Sequence, residues 1–155
     1  MSVEIYHEIV KICHLHADRL NWSMKELASR TPFVAEDMGA LTEIELAILD
    51  QFLSRFSKLQ DIMGAKLFSV VLELTKEPGD LTAFVDKLNH LEKIGAISSA
   101  GDWLLLREMR NSFSHEYPDD PDIQAAILNK AFTLATTLLA TLDEVERFSR
   151  RYLPG

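Results

Sequence analysis

Seven apolar residues, Phe52, Phe56, Leu59, Met63, Leu67, Val70 and Leu74, recur at spacings of 4, 3, 4, 4, 3 and 4. That repeat keeps one side of an α-helix apolar along its length and fits no strand, whose sides alternate at every residue. Thr42 and Glu45 stand three apart ahead of the run, the spacing at which a hydroxyl and a carboxylate each satisfy an unpaired amide, so a helix opens there. Unbroken from Thr42 to Thr75, it would be ~50 Å long at 1.5 Å per residue. A compact chain of this length is only about 40 Å wide. The rod therefore bends near Gly64 or projects at one end.

The remaining segments read the same way. A first helix runs from about Val3 to Ser29, with Ile5, Ile9, Ile12, Leu15, Leu20 and Leu27 near one face, until Arg30, Thr31 and Pro32 stop it. A connection passes through Met38, Gly39 and Ala40. After the break at Glu77, Pro78, Gly79 and Asp80, the Asp80 carboxylate caps a helix carrying Leu81, Phe84, Val85, Leu88 and Leu91 up to Gly95. Ile97 to Gly101 form a turn, and Ser99 with Asp102 repeats the capping spacing ahead of Trp103. The helix so opened ends at Pro118, because proline disfavours helical geometry in the residue before it. A loop from Asp119 to Pro121 leads into a last helix, about Asp122 to Arg151. It presents Ile127, Leu134, Leu138 and Val145 on one side and Leu128, Phe132, Ala135, Leu139 and Leu142 beside them. This apolar face is wider than one neighbour needs, so the helix is either central or covered by a second copy of the chain. The fold expected is all-α: an up-and-down bundle of about five helices in a single domain spanning 1–155.

At 155 residues, with 47% hydrophobic and 26% charged residues, the chain has room for one packed core and must be stabilised by it. A net charge of −8 makes long-range steering toward nucleic acid or an anionic membrane repulsive, so any RNA contact has to be local. DNA and membrane partners are not expected. Cys13 is the single cysteine, which excludes an intrachain disulfide and fits a reducing compartment. The start lacks the basic and apolar segments of a secretion signal, and no uncharged apolar stretch approaches the ~20 residues that span a bilayer. A cytoplasmic protein is expected. His14 and His16 project from nearly opposite sides of a helix, and Cys13 with His16 makes only half a zinc site, so no metal and no cofactor are expected. Cys13, among Val10, Ile12 and Leu15, reads as a small buried hydrophobe. Arg147, Arg150 and Arg151 crowd a helix end, where they offset its dipole or meet phosphate.

One segment departs from this plain pattern. Residues Trp103 to Pro118, WLLLREMRNSFSHEYP, gather Arg107, Arg110, Asn111, Ser112, Ser114, His115 and Tyr117. Arg107, Asn111, Ser114 and His115 follow the 3 and 4 spacing of one helix face, while Met109 and Phe113 hold the other in the core. Such a face is either solvated or a site.

Arg110, four residues, His115, one residue and Tyr117 make up the Arg-X4-His-X-Tyr pattern. The segment thereby resembles the HEPN superfamily, specifically the HepT-like members paired with minimal nucleotidyltransferases. Arg110 and Asn111 following Trp103, Leu106 and Arg107 are similar too, as are the RFSKLQD run from Arg55 to Asp61 and the LEKIG run before the motif helix. The resemblance covers about Leu53 to Pro118. Ser112, Phe113 and Ser114 fill the variable positions with more hydroxyls than the pattern leads one to expect. The resemblance implies a helical bundle, a homodimer and, in active members, a metal-independent endoribonuclease toxin. Its partner, a small nucleotidyltransferase antitoxin, would silence it by attaching AMP to Tyr117.

The chemistry suits these residue types. RNA cleavage can use the neighbouring 2′-hydroxyl as nucleophile, which leaves the protein to move protons and stabilise negative charge on phosphorus. His115 is then the general acid or base, Arg110 the charge stabiliser and Asn111 an orienting group, with Arg107 and Ser114 in support. On an unbroken helix Arg110 and His115 stand ~140° apart, so convergence needs a loosened last turn or a two-fold partner. The helix C-terminus and Glu116 favour a protonated His115. The competing reading is a non-catalytic HEPN subunit, a substrate-binding or scaffold partner of a nucleotidyltransferase, which Glu116, Asp119, Asp120 and Asp122 favour by opposing RNA.

Overall fold

The computed structural model describes residues 1–75, 83–113 and 119–154. Among these there is helix and no strand. The long helices are α1 (Ser2–Glu26), α3 (Glu43–Ile62) continued by α4 (Phe68–Leu74), α5 (Phe84–Lys93), α6 (Ala100–Ser112) and α7 (Pro121–Ser149). The sequence pattern anticipates each of these, counting α3 and α4 as one rod. It does not anticipate the four-residue helix α2 (Ala35–Met38).

All seven members of the apolar stripe are buried along α3 and α4. Between the two helices, Met63–Leu67 form a π-helical turn, closed by the Phe68 N–H on the Met63 carbonyl. The cause is legible in the spacing. Each four-residue step overshoots a full α-helical turn by ~40°, and Leu59, Met63 and Leu67 take two such steps in succession. A wider turn rotates less per residue and returns the stripe to the core. Gly64 sits in this turn because space is short there: a Cβ would lie 3.3 Å from Cζ2 of the buried Trp103. Trp103 also meets Phe68 edge to face, with centroids 4.5 Å apart.

Helix α1 buries Tyr6, Ile9, Cys13, Ala17, Leu20 and Ser23. Ile5, Ile12 and Leu15, expected on the core side, are exposed. Two bonds set the roll of the helix that produces this: His14 Nε2 lies 2.6 Å from Glu146 Oε1 on α7, and Arg55 Nη1 on α3 donates to His16 Nδ1 at 2.9 Å. The flanks thus fixed turn the small side chains of Cys13 and Ala17 inward, where α1 packs against α3. Burial lowers the His16 pKa, with the Arg55 and Lys58 charges adding to it. Burial also pushes the Cys13 thiol up to about 12, which makes it an inert packing group.

The chain between α1 and α3 is tied down twice. Asn129 of α7 brackets Phe33, accepting from its N–H at 2.7 Å and donating to its carbonyl at 2.8 Å. Arg30 forks onto Glu45, Nε to Oε2 at 2.7 Å and Nη2 to Oε1 at 2.8 Å. Glu45 Oε1 also accepts from the Thr42 N–H at 3.0 Å, while Thr42 Oγ1 accepts from the Glu45 N–H at 3.1 Å. The capping box is therefore present and also anchors Arg30. These bonds, the Arg30 side chain first, hold the Glu45 carboxyl down at about 2.

Helix α5 buries Leu88 and Leu91 but leaves Val85 exposed, a departure from the expected stripe. Its proposed cap Asp80, with Leu81 and the break from Glu77, lies outside the described residues. At the other end Gly95 has φ +86°, and the Ala96 N–H reaches the Leu91 carbonyl while the Gly95 N–H reaches Glu92. This left-handed stop is open to glycine at no steric cost. Helix α7 is central, touching α1, α2, α3, α4 and α6. With its terminal turn it is long and apolar enough to cross a membrane, yet its inner face of Ala131, Ala135, Leu138, Leu142 and Val145 is buried in the core.

Two predictions come from these contacts. Gly95→Ala lowers stability by about 1–2 kcal/mol, read as a fall of ~2–8 °C in melting temperature, with the fold retained. The Glu45 carboxyl is held below its ordinary value of 4.5, so its contribution is full above that pH and is lost as pH falls toward about 2. Denaturant titrations of wild type and Glu45→Gln should differ by a constant amount at neutral pH and converge in acid.

Candidate functional site

Helix α6 is started by two acceptors. Ser99 Oγ takes the Asp102 N–H at 3.0 Å, and the Glu92 carboxylate takes the Ala100 N–H at 2.6 Å. Trp103, Leu106 and Met109 are buried, and half-buried Phe113 packs edge to face on Phe56 at 5.2 Å. The inward side anticipated for this helix is therefore in place, and it commits Arg107, Arg110 and Asn111 to the outer side. The helix ends at Ser112, where the Phe113 N–H closes a turn on the Arg110 carbonyl, and the expected end at Pro118 lies outside the described residues. Ser114, His115, Glu116, Tyr117 and Pro118 lie outside the described residues.

The two arginines have different surroundings. Arg110 is forked onto Asp61 of α3, Nε to Oδ1 and Nη2 to Oδ2, both at 2.8 Å. That hydrogen bond and charge raise the Arg110 pKa. The pair uses two of the five N–H groups of a guanidinium and fixes its plane, leaving the others to donate elsewhere. Arg107, one turn earlier, is exposed and stands 5.2 Å over the ring of Phe84 on α5. Among the described residues it makes no ion pair with a carboxylate, although Glu108 and Asp61 line cavities that it also lines.

Arg107 also divides two open cavities. One, of about 440 Å³, is lined by Leu104, Arg107, Glu108, Asn111 and Ser112. The other, of about 260 Å³, is lined by Gln60, Asp61, Gly64, Ala65, Phe84 and Arg107. The π-turn supplies Gly64 and Ala65 to the second, an example of a π-bulge placed beside a polar cleft.

Gln60 belongs to this site although its sequence position did not single it out. Among the buried polar side chains, Ser23, Thr141 and Ser149 each place a hydroxyl on a carbonyl of their own helix. Gln60 is 4% exposed and its amide has no hydrogen-bond partner among the described residues. It lines the cavity instead, offering a donor and an acceptor. The signals in the sequence were its place in the RFSKLQD run and its position between Leu59 and Asp61, where a helix turns from core to surface. Trp103 Nε1, also without a partner, is buried behind Gly64.

The residues considered for metal binding are separated: His14 faces α7 and His16 faces α3. Among the described residues no three His, Cys, Asp or Glu side chains group to hold an ion. Of the terminal arginines, Arg147 pairs with Asp143 at 3.0 Å and Arg151 stacks on Phe148. Another cavity, about 220 Å³ between Met38, Leu49, Leu53, Phe113 and Ile127, is apolar and carries no reactive group. Fold and site together define an all-helical bundle with a polar, two-lobed cleft beside Arg107 on α6. Comparison with protein-family models, with characterised proteins and with solved structures finds no match to this chain.

Proposed function

We propose that this chain is a HEPN-type, metal-independent endoribonuclease of the cytoplasm, the toxin of a pair whose antitoxin is a small nucleotidyltransferase, acting as a homodimer. The observation that carries the reading is Arg107, exposed between two cavities and without a carboxylate ion pair among the described residues, one turn before Arg110 on the helix that leads into Arg-X4-His-X-Tyr. In a chain of net charge −8, a phosphodiester has to be held by local guanidinium groups such as these.

In this reading the 2′-hydroxyl loses its proton to a base and attacks the adjacent phosphorus. The bond from phosphorus to the 5′-oxygen breaks, and protonated His115 supplies a proton to that oxygen. The products are a 2′,3′-cyclic phosphate and a 5′-hydroxyl. Arg107 and the free N–H groups of Arg110 stabilise charge on the phosphorane, with Asp61 orienting Arg110. Asn111 and Ser114 lie beside them in sequence to orient phosphate or imidazole. Transfer of AMP from ATP to the Tyr117 oxygen, with release of pyrophosphate, adds bulk and negative charge next to His115 and stops cleavage.

One observation favours the alternative, a non-catalytic scaffold subunit of a nucleotidyltransferase. Asp61 neutralises Arg110 in a chain of net charge −8. The readings separate in one assay. Purified protein should cut RNA in EDTA and leave cyclic phosphate ends. His115→Ala should lower the rate by ~10²–10⁴ and Arg110→Ala by ~10²–10³, with melting temperatures kept. Absence of cleavage together with stable binding to a nucleotidyltransferase would overturn the enzyme in favour of the scaffold.

A further inference from the structure

We propose that α1 is a contact between two copies of this chain, packed antiparallel about a two-fold axis that crosses the helix between Cys13 and His14. The inference names a surface for the homodimer of the proposed function and does not depend on the ribonuclease chemistry. It rests on Ile5, Glu8, Ile12, Leu15, Arg19 and Trp22, all exposed, whose spacings are 3, 4, 3, 4 and 3. Such spacing forms a single straight seam on a helix and is the repeat by which helices pack in pairs. The seam lies ~120° around α1 from the buried Tyr6, Cys13 and Leu20. The four apolar members are between 43% and 51% exposed, large side chains in a row rather than scattered singly. Rotation of α1 cannot hide them, because His14 is held by Glu146 and His16 by Arg55.

The occupant follows from the order of the seam, which reads the same spacing in both directions. Laid antiparallel on itself, it sets Ile5 against Trp22, Ile12 against Leu15 and Glu8 against Arg19. Each apolar residue then meets an apolar one and each charge meets its opposite, twice over by symmetry. A parallel pair would set Glu8 on Glu8 and Arg19 on Arg19, which is repulsive. An unrelated apolar helix would leave both charges without partners. The seam therefore selects a second copy, in one orientation, and the two-fold closes so that no chain of molecules grows. Arg107, Arg110 and Asn111 are on a different helix and take no part.

Sedimentation equilibrium of the full chain tests this. Wild type should associate reversibly to a dimer that weakens with added salt. Glu8→Arg alone and Arg19→Glu alone should each raise the dissociation constant at least about tenfold, as like charges come to face each other. The double variant Glu8→Arg with Arg19→Glu should restore the wild-type constant, and that recovery excludes misfolding as the cause. A wild type that stays monomeric, a dimer indifferent to the single changes, or a double variant that fails to recover would each overturn the proposal.

Discussion

The contact on which the arrangement turns is that of Trp103 against the π-helical turn at Met63–Leu67. The rod formed by α3 and α4 carries too many four-residue steps to keep its apolar stripe inward as a regular α-helix, and the wider turn absorbs the excess. The turn also brings Gly64 close to the indole of α6, where a Cβ would be crowded at 3.3 Å. From there α6 has little freedom. With Trp103, Leu106 and Met109 committed to the core, its arginines are displayed beside the backbone of the same turn. The packing solution and the cleft have one cause.

Within the cleft, charge is handled unevenly, and that unevenness gives it chemical content. Arg110 is oriented but largely compensated by Asp61, whereas Arg107, among the described residues, is held by an aromatic face and makes no ion pair. An anion entering between them meets one guanidinium fixed in plane and one free to donate. Gln60 adds a neutral donor and acceptor to the lining. The exposed seam of α1 has a different character, four apolar side chains with two opposite charges between them.

Much of the helical content was legible because it depends on local chemistry. The stripe from Phe52 to Leu74, the Thr42 and Ser99 caps and the Gly95 stop each involve residues a few positions apart, and each is present. The pairing of Arg110 with Asp61 joins residues 49 positions apart, beyond the reach of any local pattern. Gln60 was hidden for a related reason: its polarity reads as surface until the neighbouring helices bury it. Ile5, Ile12 and Leu15 were misplaced because apolar residues run nearly all round α1, and periodicity alone cannot choose between two apolar faces.

The sequence by itself determined that the chain is helical, where most helices begin and end, and that polar groups with chemical potential concentrate after Trp103. Those features are fixed by hydrogen bonds and side-chain spacing within one or two turns. The tertiary structure decided which face of each helix is inside and which arginine is paired with a carboxylate. These depend on cross-helix contacts from His14, His16, Asp61 and Phe84, and their energies exist only once distant segments are brought together.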